Sequence, residues 1–102
     1  MSIITQTKHL MSRTTVEGED VVEVSYALVK AFWGQGLALE IGHYAIDYAF
    51  NHLKLAELVC FTLPSNKQSL SVMEKLGFHY EKDFMYKGLL HKLYRMRNSN
   101  KS

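Results

Sequence analysis

From Val21 to Val29 the chain alternates. Val22, Val24, Tyr26 and Leu28 fall on one side, and Val21, Glu23, Ser25, Ala27 and Val29 on the other. Period two with β-branched residues predicts a strand. From Ala38 to Leu53 the period changes to that of a helix. Leu39, Gly42, Ile46, Ala49, Phe50 and Leu53 form an apolar stripe, while Glu40, His43, Asp47, Asn51 and Lys54 form a wet face. Glu57 to Leu63 is apolar on both faces, which predicts a covered interior strand that Pro64 ends. Because a helix connects it to the first strand, the two are expected to run parallel.

Ser65 and Gln68 are spaced as a capping box for a second helix over Asn66 to Leu76, which Gly77 stops. Phe78 to Tyr86 and Leu89 to Met96, joined around Lys87-Gly88, read as a closing hairpin. The stretch 1–20 is polar, without strong periodicity, and reads as a loose lead-in; 97–102 reads as a frayed tail. The whole predicts an α/β (mixed α+β) domain, strand–loop–helix–strand–helix–hairpin around a mixed sheet.

The 102 residues suffice for one small domain, and 47% hydrophobic with 22% charged residues excludes a disordered chain. The net charge of +2 suits an anionic ligand and is too small to argue for nucleic acid. The lone Cys60 lies in an apolar run, which predicts a buried thiol and a reducing, cytoplasmic setting. No apolar run approaches the ~20 residues of a membrane span, and no apolar block marks a leader peptide. The histidines show no metal-ligand spacing with acidic or thiol partners, so no metal site is expected.

Chemistry concentrates at the strand-to-helix junction, Phe32-Trp33-Gly34-Gln35-Gly36-Leu37-Ala38-Leu39-Glu40. Glycines there allow a tight turn and close approach of a ligand to the main chain. The first amides of a helix lack partners and carry partial positive charge, which suits a phosphate or pyrophosphate. A Walker loop needs Gly-Lys-Ser/Thr, which is absent. A dinucleotide loop needs a third glycine where Leu39 stands.

Trp33-Gly34-Gln35-Gly36-Leu37-Ala38 instead resembles the acetyl-CoA pyrophosphate loop of the GNAT superfamily of N-acetyltransferases, written Arg/Gln-x-x-Gly-x-Gly/Ala. Gly36 and Ala38 match its last two positions, and Trp33 departs from the first. Asn66-Lys67-Gln68-Ser69, Glu74-Lys75-Leu76-Gly77-Phe78 and Glu23-Val24-Ser25-Tyr26 resemble further motifs of its RimJ/RimL-type, ribosomal-protein-acetylating branch, in the same order. The resemblance runs over 21–96 and corresponds to the C-terminal part of that family's domain.

The resemblance implies acetyl-CoA as cosubstrate and a primary amine, on a protein N-terminus or a small molecule, as acceptor. It implies that amides around Gly34, Gln35, Gly36, Leu37, Ala38 and Leu39 hold the pyrophosphate. Leu28 and Val29 would meet the pantetheine arm through their backbone, and Asn66 would contact the cofactor or its reacting end. The competing reading of Asn66 is a helix cap, and both can hold together. Glu23 is the candidate base, with an exposed strand carboxylate as the competing reading, and Ser69 is a candidate polar group near the thiol. Many relatives carry a tyrosine acid seven residues after the asparagine, where this chain has Met73, which cannot donate a proton.

With few residues ahead of Val21, that strand is expected to be an open edge, to which 1–20 could add at most one short strand. Pairing of this edge with a second copy follows as an expectation. The second reading is a truncated, non-catalytic remnant that still binds acetyl-CoA.

Overall fold

The computed structural model describes residues 11–24 and 35–99, with side chains throughout except at 35–38. Among the described residues, β1 (Ser12–Val16) and β2 (Glu19–Glu23) form a hairpin. Next come helix α1 (Gln35–Asp47), with a π-helical end at Tyr48–His52, and β3 (Glu57–Thr62). Helix α2 (Lys67–Leu76) and the hairpin β4 (His79–Tyr86) and β5 (Leu89–Arg97) complete the order. The strands form one five-stranded mixed sheet in the order β1-β2-β3-β5-β4. Among the described strands β2 and β3 are the one pair of parallel neighbours, the pairing that a helical crossover allows.

The expected lead-in therefore holds a strand. Glu17 and Gly18 adopt φ 49° and 85°, the two positive values of a type I′ turn, and join Val16 to Glu19. Lys87 and Gly88, at φ 51° and 82°, repeat the device between β4 and β5. Because β1 pairs with β2 from Ser12↔Glu23 to Val16↔Glu19, this part of the expected open edge is covered. The outer strands among those described are β1 and β4. Residues 25–29 of the expected first strand lie outside the described residues.

Strand alternation divides the core in two. Val24, Leu58, Cys60 and Tyr94 face the helices and meet Ala45, Ala49, Val72, Met73, Leu76 and Phe78. Val16, Val21, Val59, Phe61, Phe84 and Leu93 gather on the opposite face. The expected wet face of α1 is exposed at Glu40, His43, Asp47, Asn51 and Lys54. The apolar stripe is corrected at its end: Ala45 is fully buried, while Leu53 is 46% exposed beyond the π-helical turn. In that turn the Leu53 amide donates to the Tyr48 carbonyl five residues back, which rotates the end of the helix away from its 3.6-residue stripe.

Gly42 is a point of close approach. A Cβ there would lie 2.5 Å from Leu76 Cδ1, so the absence of a side chain lets α1 lie against α2. Helix α2 closes as expected at Gly77, φ 105°, with the Phe78 amide bonded to the Met73 carbonyl and the Gly77 amide to the Glu74 carbonyl. That pair of bonds is a Schellman cap. Of the two caps the sequence offers for α2, Asn66 and not Ser65 is the one used, with Asn66 Oδ1 accepting from the Ser69 amide at 3.3 Å.

The expected tail is also partly folded. Asn98 is buried, its Nδ2 donates to the Leu55 carbonyl at 3.0 Å, and its amide donates to the Ala56 carbonyl at 2.8 Å. This ties the end of β5 to the turn after α1.

Arg95 on β5, 8% exposed, meets Glu19 of β2, Glu57 of β3 and Glu81 of β4 at 2.9, 2.9 and 2.6 Å. A register shift between Tyr80 and Lys82 makes Glu81 an extra residue in β4, and its carboxylate reaches across to Arg95 there. These bonds hold the Glu81 carboxyl below the ordinary glutamate value.

Candidate functional site

The parallel pair places the chemistry at one end of the sheet. In chain order α1 is the next described element after β2, and α2 follows β3, beyond that strand's carboxyl end. Ligands of open α/β sheets bind at such ends. The described ladder between β2 and β3 is short. Glu23 stands opposite Val59, and the Val24 amide donates to the Val59 carbonyl at 3.0 Å. Phe61 and Thr62 continue β3 past Val24, the last residue described before 25–34.

Helix α1 begins at Gln35, three residues before the expected start, so Gln35, Gly36, Leu37, Ala38 and Leu39 make up its first turn and the residue after it. The amides of Gln35, Gly36 and Leu37 are among those that a helix leaves without internal partners. The Leu39 side chain is half-buried and packs against the helix-side core. Leu28, Val29 and Gly34 lie outside the described residues.

Asn66 and Ser69 are brought together at the start of α2. Besides capping, Asn66 donates through Nδ2 to Thr62 Oγ1 at 3.2 Å, so its carboxamide bridges the last residue of β3 and the first turn of α2. Both readings of Asn66 remain compatible, because the residue is exposed as well as capping. Thr62 carried no signal in the sequence beyond being a strand residue. Ser69 is half-buried.

Glu23 is half-buried at the carboxyl end of β2. By alternation with Val22 and Val24 it points to the face away from the helices. Its charge, after burial itself, pushes the Cys60 thiol upward, and Cys60 is fully buried. The thiol is therefore held protonated in the core and is no nucleophile. Met73 is 1% exposed within the helix-side core, so the seventh position after Asn66 is packing. Tyr94 is likewise a core residue whose hydroxyl donates to Glu74 Oε2 at 3.1 Å; burial and that bond raise its pKa. Tyr80, which packs edge-on against Tyr94, donates to Asp83.

Two clefts of about 460 and 430 Å³ open at the other end of the sheet, where Met96 and Arg97 line both. No candidate site residue lines either of them. The Arg95 cluster also lies toward that end, since Glu19 begins β2 and Glu57 begins β3. It was not legible in the sequence, where Arg95 is one of twelve cations. The cluster acts as a clasp between strands.

Residues 7–79 match the family described as "Acetyltransferase (GNAT) domain". The Bacillus subtilis protein YkkB is 36% identical over 67 residues, 66% of this chain and 39% of that protein. The Aspergillus fumigatus FsC-acetyl coenzyme A-N(2)-transacetylase is 35% identical over 68 residues, 67% of this chain and 29% of that protein. The chain thus spans about a third of the length of these relatives. Among solved structures, the ribosomal-protein-S5-alanine acetyltransferase of Vibrio fischeri superposes with TM-score 0.69 at 19% identity, over 98% of this chain and 69% of that one. A GNAT-family acetyltransferase of Bacillus anthracis superposes with TM-score 0.64 at 25% identity, over 86% and 57%. The likeness to the first shows a shared fold, and the match over 7–79 carries the assignment: this chain belongs to the GNAT acetyltransferase family.

Proposed function

We propose that the chain is an acetyl-CoA-dependent N-acetyltransferase domain that transfers acetyl to a primary amine, on a protein N-terminus or a small molecule. The observation that carries this reading is the parallel pairing of β2 with β3, with α1 the next described element after β2 and α2 the next after β3. The first turn of α1 supplies amides for the pyrophosphate. Asn66 at the start of α2 supplies a carboxamide for the acyl-pantetheine arm. Leu28, Val29 and Gly34 are assigned to cofactor contact on the motif alone.

Transfer requires a neutral amine, stabilisation of the oxyanion and a proton for the departing thiolate. Glu23, at the carboxyl end of β2, is the group assigned to take the ammonium proton, directly or through water. Ser69 is assigned to the thiolate end. With Met73 in the core, a water or Ser69 replaces the tyrosine acid of relatives.

A thiol-release assay with acetyl-CoA tests the reading against two acceptor sets, peptides with free α-amines and small polyamines. Amine-dependent release of CoA that falls in Glu23→Gln supports it. Tight acetyl-CoA binding without release for any amine favours the second reading, a cofactor-binding module without turnover, for which the burial of Met73 speaks. The proposed homodimer would use the outer strand β1 and is read by light scattering, where a monomer at micromolar concentration contradicts it.

A further inference from the structure

The amide of Ser69 can only donate a hydrogen bond, so the atom of Asn66 that faces it at 3.3 Å must be Oδ1. The other end of the planar carboxamide, Nδ2, is then committed to Thr62 Oγ1 at 3.2 Å. A carboxamide nitrogen carries two hydrogens, and Thr62 takes one of them. The second leaves Asn66 as a donor at an exposed position where β3 passes into α2.

We propose that Thr62 is a positioning residue for the cofactor. It locks the Asn66 carboxamide so that an N–H, and not a carbonyl, is presented to a carbonyl oxygen of the acyl-pantetheine arm. This rests on the reading of the chain as an acetyl-CoA-dependent enzyme. The lock has two points, one on the strand and one on the helix, so neither rotation about χ2 nor a flip of the amide is free. Losing the Thr62 acceptor leaves only the cap bond, and the outward N–H is no longer fixed. An ordering contribution of this kind is worth a fraction of one hydrogen bond to the arm.

Thr62→Val keeps the β-branched shape and strand preference of the residue while removing the acceptor. Thr62→Ser restores the acceptor. Asn66→Asp keeps a side-chain oxygen for the Ser69 amide, and aspartate caps helices as well as asparagine does, but it removes the donor altogether. The assay is calorimetric titration with two probes, acetyl-CoA and adenosine 3′-phosphate 5′-diphosphate. The second probe carries the pyrophosphate and lacks the arm.

The expected result is a Kd for acetyl-CoA raised about two- to threefold in Thr62→Val and further than that in Asn66→Asp. Thr62→Ser stays near wild type, and the Kd of the diphosphate changes in none of them. Equal weakening of both probes would show a structural effect and overturn the proposal. So would wild-type acetyl-CoA affinity in Thr62→Val or Asn66→Asp. Wild-type protein that binds the diphosphate but not acetyl-CoA removes the arm contact and overturns the proposal as well. Wild-type protein that is folded and binds neither probe defeats the underlying acetyl-CoA reading, a result distinct from all of these.

Discussion

Replacing Arg95 with methionine removes the charge that ties β2, β3 and β4 to β5, while an unbranched apolar stem keeps most of the buried volume. Removing one member of a buried ion pair costs about 3–5 kcal/mol when the remaining charge stays buried. Here the buried member is the cation, at 8% exposure, and the side chains of Glu19, Glu57 and Glu81 are 51%, 29% and 33% exposed. After its loss the carboxylates can hydrate in place, and the desolvation cost of the guanidinium disappears with it. Three carboxylates then repel one another across neighbouring strands. The balance predicts a loss of about 2 kcal/mol at neutral pH, or about 8–16 °C in Tm for a domain of this size.

The pH dependence sharpens the test. The folded-state pKa of Glu81 is depressed, first by its hydrogen bond from Arg95. Its contribution is present above the unfolded value, about 4.3, and is lost as pH falls through the lower folded value. The gap between wild type and Arg95→Met should therefore be widest near neutrality and narrow in acid. Urea denaturation at pH 7 and at about pH 3 measures both gaps. A gap below about 0.5 kcal/mol at pH 7 would refute the assignment of the clasp, because exposed pairs already account for that much. A gap as large in acid as at neutrality would refute its electrostatic origin.

Asn66→Ala should cost about 1 kcal/mol of stability by urea titration through loss of the α2 cap, and Asn66→Asp should cost far less; equal losses would contradict the capping geometry. Gly77→Ala places a side chain at φ 105°, with Met96 Cε 3.2 Å from the new Cβ, and should cost about 1–2 kcal/mol; an unchanged midpoint would contradict the left-handed cap. Cys60 should resist alkylation in the native protein and react at the rate of global unfolding, because burial both shields the thiol and raises its pKa; fast native labelling would place it elsewhere.

The elements of the second half were legible because each carries local punctuation. Gly77 marks a left-handed cap, Lys87-Gly88 a type I′ turn, and the doubly apolar run of Glu57 to Thr62 a strand with both faces covered. The hairpin of β1 and β2 uses the same device, Glu17-Gly18, and was missed. Its first strand, Ser12 to Val16, buries only Val16 and otherwise shows polar residues, as an outer strand can. The boundary at Asn98 was missed because its burial depends on carbonyls of the turn after α1, more than forty positions away.

At the site, Asn66 and Ser69 stood out by motif, and the structure brings them together. Thr62 did not stand out, because a threonine on a strand has a sufficient explanation in its β-branched shape. The Arg95 clasp depends on a bulge and on three strands meeting in space, none of which is local in sequence. Spacing within a segment reveals helix ends and turns. It does not reveal which charges the sheet brings together.

Calorimetric titration of the folded wild-type chain with acetyl-CoA, alongside Gly36→Glu, tests the central claim most directly. The account predicts one site per chain in the wild type and its loss in the variant, whose carboxylate would stand in the first turn of α1 and repel the pyrophosphate. No binding by the folded wild type, or equal binding by Gly36→Glu, would contradict it.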